Sequence, residues 1–209
     1  KMSKSRGNVI NPDDVVKAYG ADSFRLYEMF MGPLEKSKPW STKGLQGCFR
    51  FIQKVWRLFS EDPDKIEENC ADEKTIRLLH QTIKKVTEDL TDLRFNTSVS
   101  QLMIFTNHLL TLKKLDKSVL HHFLLLLNPF APHLSEELNQ ILGFGEISKT
   151  DWPKYDESKI IDETIDIAVQ INGKTRGSIS IFIDADQNTV EQTVKDNDKI
   201  NRYLSDTNV

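Results

Sequence analysis

Two lysines three positions apart open the chain, in Lys1-Met2-Ser3-Lys4-Ser5-Arg6-Gly7-Asn8. A loop containing serine and glycine lets both ammonium groups converge on one polyphosphate. The hydroxyls of Ser3 and Ser5, the Asn8 amide and free backbone N–H groups can fill in around it. Such a clamp would stabilise negative charge on a transferring or departing phosphate. Losing one preorganised donor of this kind typically costs about 10²–10³ in rate. Composition alone favours an exposed basic terminus, and spacing by itself does not overturn that.

A second group of cations, Lys43, Arg50, Lys54 and Arg57, lies on one helical segment with no acid among them. At about 100° per residue they fall within a narrow arc, opposite Leu45, Cys48, Phe49, Ile52, Val55, Trp56 and Phe59. A basic front on an apolar back suits a phosphate backbone, and would position RNA rather than read bases. A merely solvated charged face has the same pattern. Lys174 and Arg176 flank an Asn172-Gly173 turn, where cations are also ordinary solvent-exposed turn residues.

Other signals lead nowhere chemically. Gly173-Lys174-Thr175 imitates the end of a P-loop, but Ala168 stands where a glycine is needed and a strand comes next instead of a helix. His121-His122, and His133 with Glu136 and Glu137, lack a recognised metal spacing, so no metal ligands are assigned. Cys48 and Cys70 make neither a Cys-x-x-Cys pair nor a disulfide framework. Trp56, Phe49, Phe51 and Phe59 read as core and bundle-edge packing rather than a stacking platform.

The elements that must hold these residues are mostly helical. Asn11-Pro12-Asp13-Asp14 is a helix start, Gly20 its end, and Asp22 can cap the next helix, which Gly32-Pro33 stops. Ser41 caps the basic helix. Asp72 opens a long helix with Ile76, Leu79, Ile83, Val86, Leu90 and Leu93 inward, and Arg94-Phe95-Asn96 turns into another carrying Val99, Leu102, Met103, Leu109 and Leu110. Ser118 to Leu127 is apolar nearly all round, as a central helix must be, and Pro132 to Leu142 adds a short one closed by Gly143. Long amphipathic helices with short connections specify a bundle. Near residue 160 the period becomes two: Ile165, Ile167, Val169 and Ile171 alternate, then Ile179, Ile181 and Ile183, joined by the hairpin turn. Thr189 and Gln192 suggest a capping-box start to a helix with Val190, Val194, Ile200 and Leu204.

The 209 residues suffice for one or two domains, with 38% hydrophobic and 28% charged residues. No apolar run approaches a bilayer span, and the basic N-terminus does not lead into an apolar stretch as in a signal peptide. The expected location is therefore cytoplasmic, without membrane contact. A net charge of −3 argues against a generic nucleic-acid coat and leaves the local stripes as the informative feature.

Lys1 to Ser5 matches letter for letter the signature loop of class I aminoacyl-tRNA synthetases, and the chain beyond it resembles the leucyl-tRNA synthetases almost continuously. The resemblance runs through Asn8–Pro12 and Tyr19–Arg25, then Gly32–Lys36, Trp40-Ser41, Phe51-Ile52 and Val55–Arg57. It continues through Phe95–Thr97, Pro129–Leu138 and Val169–Gly177. It implies a mainly α fold: a loop and stem-contact segment over 1–36, an anticodon-binding-type helical bundle over 37–158, and a partial C-terminal α+β tRNA-binding module over 159–209. It implies ATP-dependent leucine activation and transfer to leucine tRNA, with Mg²⁺-ATP as substrate. Lys4 would stabilise departing pyrophosphate with Lys1 assisting; Ser3, Ser5 and Asn8 would shape the ATP-binding loop. The arc of Lys43, Arg50, Lys54 and Arg57 and the hairpin cations Lys174 and Arg176 would meet tRNA. The nucleotide-binding fold with its His-Ile-Gly-His motif is expected before Lys1, so this portion alone would be an inactive monomer, without a bound cofactor. Two alternatives stand beside it: a standalone helical tRNA-binding or interaction module, and another class I synthetase of valyl, isoleucyl or methionyl type.

Overall fold

A computed structural model describes residues 2–33, 35–160, 164–183 and 185–205. They form two compact units, divided between Ile160 and Ile161.

The first unit is helical. α1 (Pro12–Tyr19) is capped by Asn11, whose side chain accepts the Asp13 N–H, and α2 (Ala21–Phe30) comes directly after it. Gly20 joins them at φ 84°, a conformation that suits glycine. Asp22 is not the cap of α2. It is buried, and it reaches across to α7 (Pro132–Ile141) instead. α3 (Thr42–Ser60) is capped by Ser41, which accepts from the Gly44 N–H. α4 (Glu73–Thr91) is capped by Asp72, and α5 (Phe95–Leu109) returns against it. Between them Leu93, expected inward, stands 60% exposed at φ 57°.

α6 (Lys117–Leu127) is the central rod, with Leu120, Phe123, Leu124, Leu126 and Leu127 fully buried. A helix apolar on every side can only sit where neighbours surround it. α7 closes the bundle, and Gly143 stands just beyond it at φ 79°.

One connection is invisible in the sequence. The linker strand β1 (Ile66–Glu67) pairs in parallel with β2 (Leu115–Asp116), far away in the chain. Buried Asp116 fastens the junction: one carboxylate oxygen accepts the Cys70 and Ala71 N–H groups at 2.8 and 3.4 Å. The other caps α6 through Ser118 and Val119.

In the second unit β3 (Thr164–Ile171) and β4 (Lys174–Phe182) form the expected antiparallel hairpin. Asn172 and Gly173 turn it with φ of 53° and 75°, the doubly positive geometry that a two-residue hairpin loop needs. The single helix expected after it is two, α8 (Gln187–Asp196) and α9 (Asp198–Ser205), and α8 is capped by Asp186 rather than by Thr189. Asn197 separates them, because its side chain and carbonyl take the Lys199 and Ile200 N–H groups that a continuous helix would bond elsewhere. Ile200 packs with Ile179 and Ile181, and a Cβ on Gly177 would stand 3.0 Å from Ile200.

Candidate nucleic-acid interface and phosphate loop

The N-terminal loop is a single tight turn. The Ser3 N–H donates to the Asn8 side-chain oxygen at 2.9 Å, closing a ring across five residues. Inside it, Lys4–Arg6 make one 3-10 turn through Arg6 N–H to the Ser3 carbonyl, and Gly7 reverses the chain at φ 62°. The Ser3 and Ser5 hydroxyls lie 3.1 Å apart and bond to each other. Asn8 and Ser3 thus fix the shape of the loop, and Ser5 and Asn8 lie exposed on it. Lys1 and the side chain of Lys4 lie outside the described residues. Met2 adjoins a recess of about 300 Å³ lined also by Tyr27, Glu28, Lys36, Lys38 and Trp40. The lysines of that recess carry only a weak sequence signal, Lys36 and Lys38 alternating just before Trp40. Lys38 donates to the Gly32 carbonyl at 2.5 Å.

α3 presents Lys43, Arg50, Lys54 and Arg57 exposed, as its spacing requires. Arg57 lies 3.9 Å from the Glu61 carboxylate at the helix end. Among the described residues Lys43, Arg50 and Lys54 have no carboxylate partner. The buried side is rotated from expectation: Phe51 and Leu58 are buried, whereas Phe49 and Ile52 are half-buried and Trp56 is 42% exposed. Two open cavities border the ridge. Arg50 and Lys54 line one of about 370 Å³ with Gly47, Phe51, Met103 and Asn107, and Trp56 and Arg57 line another of about 500 Å³ with Ile52, Gln53 and Leu134.

Elsewhere in the bundle, α2 is clamped to the start of α7. Asp22 accepts the Leu134 N–H at 2.7 Å and pairs with His133 Nδ1 at 2.8 Å. Arg25 donates to the Pro129 carbonyl at 3.0 Å. Both segments carry the synthetase resemblance in the sequence, but nothing there signals that they meet. In the second unit, Lys174 and Arg176 are exposed beside the hairpin turn, and the Arg176 guanidinium lies 4.4 Å over the Tyr203 ring. A cation–π contact of that kind holds the side chain to α9.

Buried titratable groups are structural. Burial pushes the Cys48 thiol up to about 11, so it stays protonated and inert. Among the described residues no cluster of His, Cys, Asp and Glu could hold a metal ion. No described helix is long and apolar enough to cross a membrane.

Residues 72–192, which include α4 to α7 and the hairpin, match the family described as the anticodon-binding domain of tRNA ligase. The chain belongs to that family. Residues 1–40 match tRNA synthetases class I (I, L, M and V), so the loop and the α1–α2 segment also have class I synthetase counterparts. A leucine–tRNA ligase of Rhodopirellula baltica is 45% identical across the whole chain, which spans 23% of that relative. A solved LeuRS–tRNA–LeuAMS ternary complex of Agrobacterium radiobacter K84 agnB2 superposes with a TM-score of 0.75. It is 31% identical, over 99% of this chain and 29% of the solved one. The leucyl resemblance read from the sequence therefore holds along the entire chain. Phe95 and Pro132 begin α5 and α7, the helices that flank the central rod.

Proposed function

We propose that this chain is the portion of a leucine–tRNA ligase that carries the ATP-handling loop and the tRNA-binding helices. The full-length enzyme joins leucine to ATP, releases pyrophosphate, and transfers the leucyl group to leucine tRNA. The observation that carries this reading is 45% identity across the whole chain to a leucine–tRNA ligase, with the phosphate-type loop at Lys1 to Asn8 in the matched segment. Mg²⁺-ATP is the expected substrate of that loop. Lys4 neutralises the departing pyrophosphate, Lys1 assists, and Ser3, Ser5 and Asn8 keep the turn in shape for it.

The arc of Lys43, Arg50, Lys54 and Arg57 positions tRNA by its phosphates, and Lys174 and Arg176 meet it separately from the second unit. These contacts fix register and leave leucine selection to the rest of the enzyme. The enzyme works as a monomer in the cytoplasm.

Two experiments on the full-length enzyme test this. Lys4→Ala should slow leucine-dependent ATP–pyrophosphate exchange by about 10²–10³ with little change in leucine KM. Unchanged exchange would remove Lys4 from the chemistry. Neutralising Lys43, Arg50, Lys54 and Arg57 to Gln should weaken leucine-tRNA binding and flatten its log Kd against log salt slope by about 3–4. An unchanged slope would make the bundle a passive scaffold.

A further inference from the structure

Gly47 lies inside α3, where glycine is the least favourable residue after proline. Its partner in the same helix, Gly44, has a reason to be small: a Cβ there would stand 3.2 Å from both Met31 and Tyr27. At Gly47 a Cβ would meet nothing within 4 Å, and its φ is not in the left-handed region. Neither packing within the described chain nor backbone geometry calls for glycine at this position. The space above it is open.

Its surroundings show what borders that space. Gly47 stands four positions after Lys43, three before Arg50 and seven before Lys54, so it falls just beside the cationic arc, on the edge next to Lys54. Arg50 and Lys54 rim the cavity between α3 and α5 that Gly47 helps to line, with Phe51 and Met103 as apolar walls. Asn107 on α5 completes the rim with an exposed amide that makes no hydrogen bond within the described residues. α3 itself carries no acid to repel an anion.

We infer that the α3–α5 groove seats the sugar–phosphate backbone of RNA, with Gly47 as the point of closest approach. Arg50 and Lys54 take the phosphates flanking that point, and the Asn107 amide, both donor and acceptor, faces the ribose hydroxyls. The missing side chain lets the strand touch the helix backbone, which brings the phosphates within direct reach of both cations rather than across water. Close approach of another backbone is a recurrent use of glycine. This rests on the reading of the chain as a tRNA binder and adds where, and against which residue, the RNA lies.

The test measures thermal stability and leucine-tRNA affinity of the full-length protein side by side. Gly47→Ala is expected to raise Tm by about 1–4 °C, because alanine favours the helix. It should weaken tRNA binding by about threefold to tenfold, and Gly47→Leu should weaken it further without lowering Tm. A double Arg50→Gln, Lys54→Gln variant should lose about 2 from the salt slope. If the Gly47 variants bind tRNA as wild type does, the groove is not an RNA seat, even if the double variant loses its slope and the tRNA-binding reading survives. If the double variant also keeps its slope and affinity, both fall. A lower activity of Gly47→Ala with unchanged tRNA affinity would hand the groove to a protein segment and overturn the inference.

Discussion

Asp89 is a fully buried carboxylate that collects three side-chain donors: Lys85 Nζ at 2.8 Å, Arg94 Nε at 2.9 Å and Thr97 Oγ1 at 2.6 Å. Burial pushes its carboxyl up, but donation from Lys85, Thr97 and Arg94 outweighs it and holds the group below its ordinary value. A depressed folded value stabilises the protein above the unfolded value near 4, and the benefit disappears as pH falls through the folded one. Asp89→Ala should therefore cost about 2–3 kcal/mol in urea unfolding at pH 7 and markedly less near pH 2. An equal loss at both pH values would show that the charge is unimportant. This residue is not legible in the sequence, where an acid near the end of an amphipathic helix looks solvated. Leu93 departs from expectation for a related reason: the inward spacing continues past the point where the backbone leaves the helix, so the side chain falls on a left-handed turn. The serines and asparagine of the N-terminal loop are easier to read, because short polar side chains in a glycine-containing turn have few partners beyond their own backbone.

At the scale of elements, α3 shows how far periodicity reaches. Spacing gives the angles between side chains but not the absolute rotation of the helix; that depends on what packs against it. Contacts with α2, α5 and α7 turn Phe51 and Leu58 inward and leave Trp56 out, while the cations remain on the open side. The start of α3 is legible because a cap is local chemistry. Ser41 does more than cap, since its own N–H donates to the Tyr27 hydroxyl at 2.7 Å. Ser41→Ala should lower stability by about 1 kcal/mol, read as a shifted urea midpoint with unchanged slope, while Tyr27 keeps its bond to the backbone. A loss well above that would mean that the hydroxyl holds more than the helix end. Asp22 illustrates the opposite case. A carboxylate near a helix start reads as a cap, but only the fold reveals that the N–H group it satisfies belongs to α7.

Across the whole molecule, the helical bundle and hairpin are readable because both depend on repeated patterns, 3.6 and 2, that no single neighbour can mask. The pairing of the 66–67 linker with residues 115–116 depends on two residues on each side, too few for a pattern. That small clasp has a kinetic consequence. α4 and α5 are adjacent in sequence and can find each other early, whereas the clasp closes a loop around both and can form only once its ends have been brought together. It should therefore be absent from the folding transition state and matter chiefly as a brake on unfolding. Asp116→Ser retains a residue able to cap α6 but loses the carboxylate's second oxygen and its grip on Cys70 and Ala71. In a chevron measurement the unfolding arm should rise by about 5- to 30-fold while the folding arm stays in place. A slowed folding arm would place the clasp in the nucleus. Where the arm does not move, the lifetime of the native state, rather than the speed of reaching it, is what one buried carboxylate sets.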